Sequence, residues 1–188
     1  MTPDALVPML SPDEARAAAE RAGIPVFLAK LNIFRVLLRR PRFAKGFSDA
    51  FGALLAADAL DARLRELAIM RIAWQTGSNY EWTQHWAIAQ QAGLSEEELL
   101  GVQGKGTGSF GELERAVFSA VDVAVTGRVI PGEVLSILKR HLSDDAVLEL
   151  VAAIASWTMV STMLRSLEIP LEDGLAGWPP EGLAPSVD

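Results

Sequence analysis

The sequence contains no cysteine. That absence alone excludes a disulfide, a thiolate nucleophile, a Cys-x-x-Cys redox couple and a cysteine-ligated zinc. Histidine is scarce too, with only His85 and His141, so neither a metal site nor a cofactor is assigned. Long apolar runs are missing. The charge-free stretch between Glu149 and Arg165 falls short of the roughly 18 residues a membrane span needs, and Ser156, Thr158, Ser161 and Thr162 interrupt it. The opening segment MTPDALVPMLSPDEA has neither the basic nor the apolar region of a signal peptide, so no membrane is expected as partner and the expected location is cytoplasmic. Basic residues are the minority, 17 against 24 acidic, for a net charge of −7. A surface of that sign repels phosphate backbones, which excludes nucleic acid as the main partner.

What remains is a chain of 188 residues, half of them apolar, suited to a single domain over 1–188 with a full core. Its periodicity is helical throughout and no strict polar–apolar alternation occurs, which predicts an all-α fold. Ser11 with Pro12, Asp13 and Glu14 opens a first helix that Gly23 can end. Pro25 and Pro41 bracket the apolar segment VFLAKLNIFRVLLRR, and a helix follows from about Arg42 to Ala57. Asp61 is placed to cap a helix closed at Gly77. Ser78 is placed to cap the next, which runs from about Asn79 to Ala92, so the two join by a very tight turn and must pack as a hairpin or bend sharply. Ser95 and Glu98 form a capping box for a short helix. The glycine-rich stretch 104–111 lacks the spacing of a phosphate loop and reads as a linker, or else a mobile lid. Further helices are expected near Glu112–Val125, Gly132–His141 and Asp144–Leu167. The last is apolar nearly all round, as a helix central to the monomer or covered by another subunit would be. A tail from about 169 to 188 carries Leu175, Trp178 and Leu183 and should lie extended over a surface, that of a neighbouring subunit being one candidate.

The residues able to carry chemistry gather around the central hairpin. Glu81 and His85 are four apart on one helix and can pair on one face. Ser78 stands at that helix's N-terminus, where unpaired N–H groups favour an anion. Glu66 lies about three turns before the turn, and helix packing can bring its carboxylate to the same face. Leu67, Ala68 and Ile69 surround it, an apolar setting that suits a carboxylate used in proton transfer. Tyr80 and Trp82 can wall a small pocket. A plainer reading fits each residue as well: a surface Glu–His contact, Ser78 as a cap alone, and Glu66 solvated and paired with Arg63 or Arg71. His141, beside Lys139 and Arg140, suits compensation of a helix dipole.

Residues 60–99, LDARLRELAIMRIAWQTGSNYEWTQHWAIAQQAGLSEEEL, resemble the carboxymuconolactone decarboxylase-like family, which includes the thiol-dependent alkylhydroperoxidases. NIFRVLLRRPRF is similar to its longer members. The peroxidase branch has a Glu, a Cys-x-x-Cys pair and a His four residues past the second Cys. Transferred residue by residue, the Glu falls on Glu66 and the His on His85, while the two cysteines fall on Ser78 and Glu81. Serine and glutamate cannot cycle through a sulfenic acid or disulfide, so thiol peroxidase chemistry is not available by that route. The decarboxylase branch, which works with acid–base residues, is the better match. The resemblance implies an alkylhydroperoxidase-type fold and a homo-oligomer, a trimer or hexamer before a dimer.

The reading is therefore a cofactor-independent enzyme that moves protons on a small carboxylated or lactone substrate, by decarboxylation or a related lyase or isomerase step. His85 would be general acid or base, Glu81 would orient and charge it, and Glu66 would relay the second proton. Ser78 would hold a substrate carboxylate or enolate, and Tyr80 and Trp82 would shape the pocket. The alternative is a non-catalytic binding or assembly protein on the same scaffold.

Overall fold

Several caps and turn residues act where the sequence places them. In α1 (Pro12–Ala22) the Glu14 N–H donates to Ser11 Oγ at 3.3 Å and the Ser11 N–H donates to Glu14 Oε2 at 2.9 Å; Gly23 closes the helix in the left-handed conformation. The segment between Pro25 and Pro41 does not form one helix. Leu31 is extended at φ −78°, ψ 131° and separates a 3-10 turn, Val26–Lys30, from α2 (Asn32–Leu37). A proline at the first position then starts α3 (Pro41–Leu55). The structure, a computed structural model, describes residues 5–56, 58–104, 110–182 and 184–186. The core of the linker or lid expected at 104–111, residues 105–109, and Leu183 of the tail lie outside the described residues.

Beyond these come α4 (Ala62–Thr76), α5 (Asn79–Gln91), α6 (Glu96–Gly101), α7 (Glu112–Ala124), α8 (Gly132–His141) and α9 (Asp144–Ser166). Among the described residues no strand occurs, so the fold is all-α. The chain divides into two compact units, one of residues 1–56 and 163–175, the other of residues 57–162 and 176–188. In the first, Phe47 stacks on Phe51 with centroids 4.2 Å apart and meets Phe34 edge-on at 5.9 Å. The Asn32 amide donates to the carbonyls of Pro170 and Leu171, at 3.2 and 3.1 Å, and the Asn32 N–H donates to Glu172.

The second unit is built on the α4–α5 hairpin. Asp61 accepts from the N–H groups of Arg63 and Leu64 at 3.0 and 3.2 Å, and Gly77, at φ 66°, ends α4. A left-handed backbone is strained for any side chain but costs glycine little, so the chain can reverse within two residues. The enclosed helix is α4 rather than α9: every residue from Leu64 to Met70 is buried, as are Ile72 and Ala73. Its flanking charges fit there because each has a partner. Arg71 meets Asp122 of α7 at 2.7 Å, and Arg63 reaches Glu98 of α6 and Glu114 of α7. By contrast α9 buries a stripe of Ala146, Leu150, Ala153, Ile154, Trp157, Val160, Ser161 and Leu164 and leaves Leu148 and Met159 exposed. This 23-residue helix is apolar and long enough to cross a membrane. In the bundle, Glu149, Trp157 and Ser161 on it hydrogen-bond to Leu60, His85 and Glu81.

The tail is held by this chain itself. The Trp178 N–H donates to Asn79 Oδ1 at 3.0 Å, and Trp82 Nε1–H donates to the Pro179 carbonyl at 2.8 Å. A neighbouring subunit is not needed to seat it.

Candidate active site

Two of the expected residues meet across the hairpin. Glu66 Oε2 of α4 lies 2.7 Å from Nδ1 of His85 on α5. The Glu66 side chain is 1% exposed and that of His85 14%, so the carboxylate is sealed and only part of the imidazole reaches solvent. The other imidazole nitrogen is engaged as well: Trp157 Nε1–H of α9 donates to His85 Nε2 at 3.2 Å, the rings standing edge-to-face at 81°. An indole N–H can only donate. Nε2 must therefore accept, the ring proton is on Nδ1, and Nδ1–H donates to Glu66. The geometry thus fixes a neutral imidazole in one tautomer. Glu66 Oε1 has no hydrogen-bond partner, although Arg65 Nε stands 3.6 Å away. Glu66 is thus neither solvated nor paired with Arg63 or Arg71, both of which serve other acids.

Glu81 does not take the place expected of it beside His85. Its side chain turns into the interior, where the Ser161 hydroxyl of α9 donates to Oε2, and Thr76 Oγ1 lies 3.0 Å from that same hydroxyl. Burial pushes the Glu81 carboxyl well above the usual range, and the neighbouring Ser78 hydroxyl offsets only part of this. The role of orienting the imidazole, expected of Glu81, falls geometrically to Glu66. The spacing argument missed this because residues i and i+4 share a face without having to share a partner. Ser78 also departs from expectation. It stands at the N-cap of α5 but makes no cap bond, and its hydroxyl is buried without a partner of hydrogen-bond geometry.

Ser78 is 1% exposed and Trp82 0%. Neither presents an atom to solvent in this state, so the substrate contacts expected of them are not open here. Tyr80 is buried too. Trp82 centres an aromatic cluster instead, 5.3 Å from Trp74, 5.6 Å from Trp86 and 6.0 Å from Trp178. A cavity of about 360 Å³ lies between the end of α7, α8 and the outer flank of α9, with Arg128, Leu135, Val151, Ile154 and Thr158 in its wall. Glu66, His85 and Trp157 do not line it. His141 joins Arg140 in gripping Glu112, at 2.8 and 2.6 Å, and that pairing holds the Glu112 carboxyl below the usual range. Among the described residues no three histidine and acidic side chains converge as a metal-ligand set.

Residues 41–122, which contain the whole hairpin, match the model of the Carboxymuconolactone decarboxylase family. Over that segment the chain is similar to the carboxymuconolactone decarboxylase family. Solved structures of that fold resemble it across most of its length. A peroxidase-related protein with an AhpD core from Ralstonia eutropha JMP134 superposes with a TM-score of 0.71 at 19% identity, covering 92% of this chain and 95% of that one. A variant of the debrominase Bmp8 in complex with 2,3,4-tribromopyrrole gives 0.72 at 18% identity, with the same coverage. A protein of unknown function from Agrobacterium tumefaciens, described as a putative antioxidant defence protein AhpD, gives 0.61 at 21%, covering 69% of this chain and 90% of that one. No curated protein matches the chain in sequence.

Trp157 and Ser161 are the partners of the candidate residues that sequence reasoning did not find. Both lie outside the matched segment, on a helix read only as apolar. The two stand four apart on the stripe that α9 buries, a face that only the packing reveals.

Proposed function

We propose that the chain is a cofactor-independent acid–base enzyme acting on a small carboxylated or lactone substrate. The observation that carries this reading is the sealed Glu66–His85 pair, a carboxylate at 2.7 Å from Nδ1 with Nε2 left as the basic atom. Nε2 takes a proton from a carbon acid of the substrate, and the Nδ1–H bond to Glu66 stabilises the imidazolium that results. The imidazolium then returns the proton to a second carbon of the same enolate, which is an isomerisation. Alternatively, with no carbon acid deprotonated first, an imidazolium charged by a solvent proton protonates the carbanion left when a carboxylate departs as CO₂, which is a decarboxylation. The isomerisation returns the ring to its neutral start, and the decarboxylation leaves it neutral until it takes a further proton from solvent. Glu66 orients and charges His85, and Glu81 supports α5 from behind through Ser161.

The test is a screen of small lactones and β-keto acids for CO₂ release or solvent-deuterium uptake, run beside His85→Ala. The likeness to a debrominase adds 2,3,4-tribromopyrrole to that screen. Loss of the positioned imidazole should reduce turnover about 10²–10⁴-fold with the fold intact. Undiminished turnover in the variant would remove His85 from the chemistry.

One observation favours the second reading, a non-catalytic binding or assembly protein: both imidazole nitrogens are already engaged, and Ser78 and Glu81 are closed off. We also propose a homo-oligomer, a trimer or hexamer, supported by the exposed Leu148 and Met159 on α9. A single monomeric species in light scattering at micromolar concentration would overturn it.

A further inference from the structure

We propose that Trp157 is the positioning residue of this site: its indole N–H occupies the seat at His85 Nε2 that a proton-donating substrate must take. The proposal rests on the acid–base reading above for what replaces the indole, but not for the bond itself. Nε2 is the one basic atom of the dyad, because Nδ1 carries the proton that Glu66 accepts at 2.7 Å. Trp157 caps that atom at 3.2 Å from a different helix and approaches it edge-on at 81°. With the cap in place the lone pair of Nε2 is spent and no proton can arrive there. Only a group that brings its own O–H or N–H to that line, a substrate donor or a water, can replace it without leaving a hydrogen-bonding nitrogen unpaired.

The cap therefore defines the ligand by its chemistry. A substrate hydroxyl or carboxylic acid restores the lost bond to Nε2 and so exchanges with the indole, whereas a C–H group alone forms no comparable bond. A molecule that offers only acceptors leaves Nε2 facing a second lone pair and does not. This also reconciles a closed resting site with a catalytic one. The His85 side chain is 14% exposed while Trp157 is 3% exposed, so part of the imidazole reaches solvent, and the indole has to withdraw from Nε2 for the ring to act. The atom count of the exchange is balanced: one N–H···N bond breaks, one X–H···N bond forms, and a proton moves only after that.

The experiment needs no substrate. The chain has two histidines, so His85 can be followed with His141 as an internal reference. In uniformly ¹⁵N-labelled wild type, an HNN correlation experiment should give a cross-peak through the hydrogen bond between Trp157 Nε1–H and His85 Nε2. Trp157→Phe, which keeps a ring and removes the N–H, should lose it. Packing alone produces no such coupling, so its absence from wild type overturns the proposal whether or not the variant folds. In parallel, carbethoxylation of each histidine by diethyl pyrocarbonate is followed by peptide mass spectrometry. His85 should react more slowly than His141 in wild type and about tenfold faster in Trp157→Phe. Equal His85 rates in the two proteins overturn the cap. If His85→Ala keeps full turnover while the cross-peak is present, the acid–base reading fails and the cap stands.

Discussion

Replacing Glu81 by Gln should flatten one part of the dependence of stability on pH. In the folded chain this carboxyl is sealed between α5 and α9, accepts from Ser161 and has the Ser78 hydroxyl beside it, with no cation bonded to it. Burial raises its pKa well above the ordinary 4.5, so the native state keeps the proton while the unfolded chain gives it up as pH passes 4.5. The stability this group contributes is fully present below the unfolded value. It declines with rising pH until the raised native pKa is reached, at about 1.4 kcal/mol per pH unit inside that window. Gln mimics the protonated acid in shape and can keep the Ser161 contact, but it does not titrate. Urea unfolding followed by tryptophan fluorescence between pH 4.5 and 8 gives the free energy of both proteins, and their difference isolates position 81. Glu14, held low first by its Ser11 hydrogen bonds, and Glu112, held low first by His141, act in the opposite sense, losing stability as pH falls. They are common to both proteins and cancel. Expected is a variant that gains on wild type as pH rises from 4.5. Parallel curves across the range would refute the reasoning.

Two further substitutions test the scaffold. A Cβ at Gly177 would sit 2.5 Å from Nδ2 and 2.6 Å from Oδ1 of Asn79, a side chain pinned by Trp178 and Thr83. Gly177→Ala should cost about 1–3 kcal/mol in urea unfolding, and most of that cost should vanish in an Asn79→Ala background. Glu66→Ala leaves the guanidinium of Arg65, whose side chain is 9% exposed, without the carboxylate 3.6 Å from it. A loss of about 3–5 kcal/mol is expected, and a loss below about 1 kcal/mol would mean that Arg65 finds water or another acid.

Much of this architecture was legible because local signals carry their own geometry. Ser11–Glu14, Asp61, Gly77 and Ser95–Glu98 act as caps or helix ends where spacing placed them. The pairing of Glu66 with His85 was legible only as a possibility of packing, since 19 residues and a helix reversal separate the two. Three things were out of reach. Trp157, 72 residues beyond His85, approaches it through tertiary packing that no local pattern encodes. Ser161 captures Glu81 for the same reason, and so the i, i+4 argument assigned Glu81 the wrong neighbour. The exposed stripe of α9 was hidden by composition, because apolar residues on both faces of a helix do not say which face is covered.

The closure of positions 78 and 81 bears on whether thiol chemistry could be installed on this scaffold. Both side chains are sealed, at 1% and 2% exposure. Cysteines substituted there would be buried, which disfavours the thiolate, and out of contact with any oxidant or partner dithiol. Replacing two codons would not suffice: the packing of α9 over α5 would have to open first, at a cost in stability and with no redox gain until the second step. On this packing, two cysteines at 78 and 81 do not by themselves make a working thiol couple.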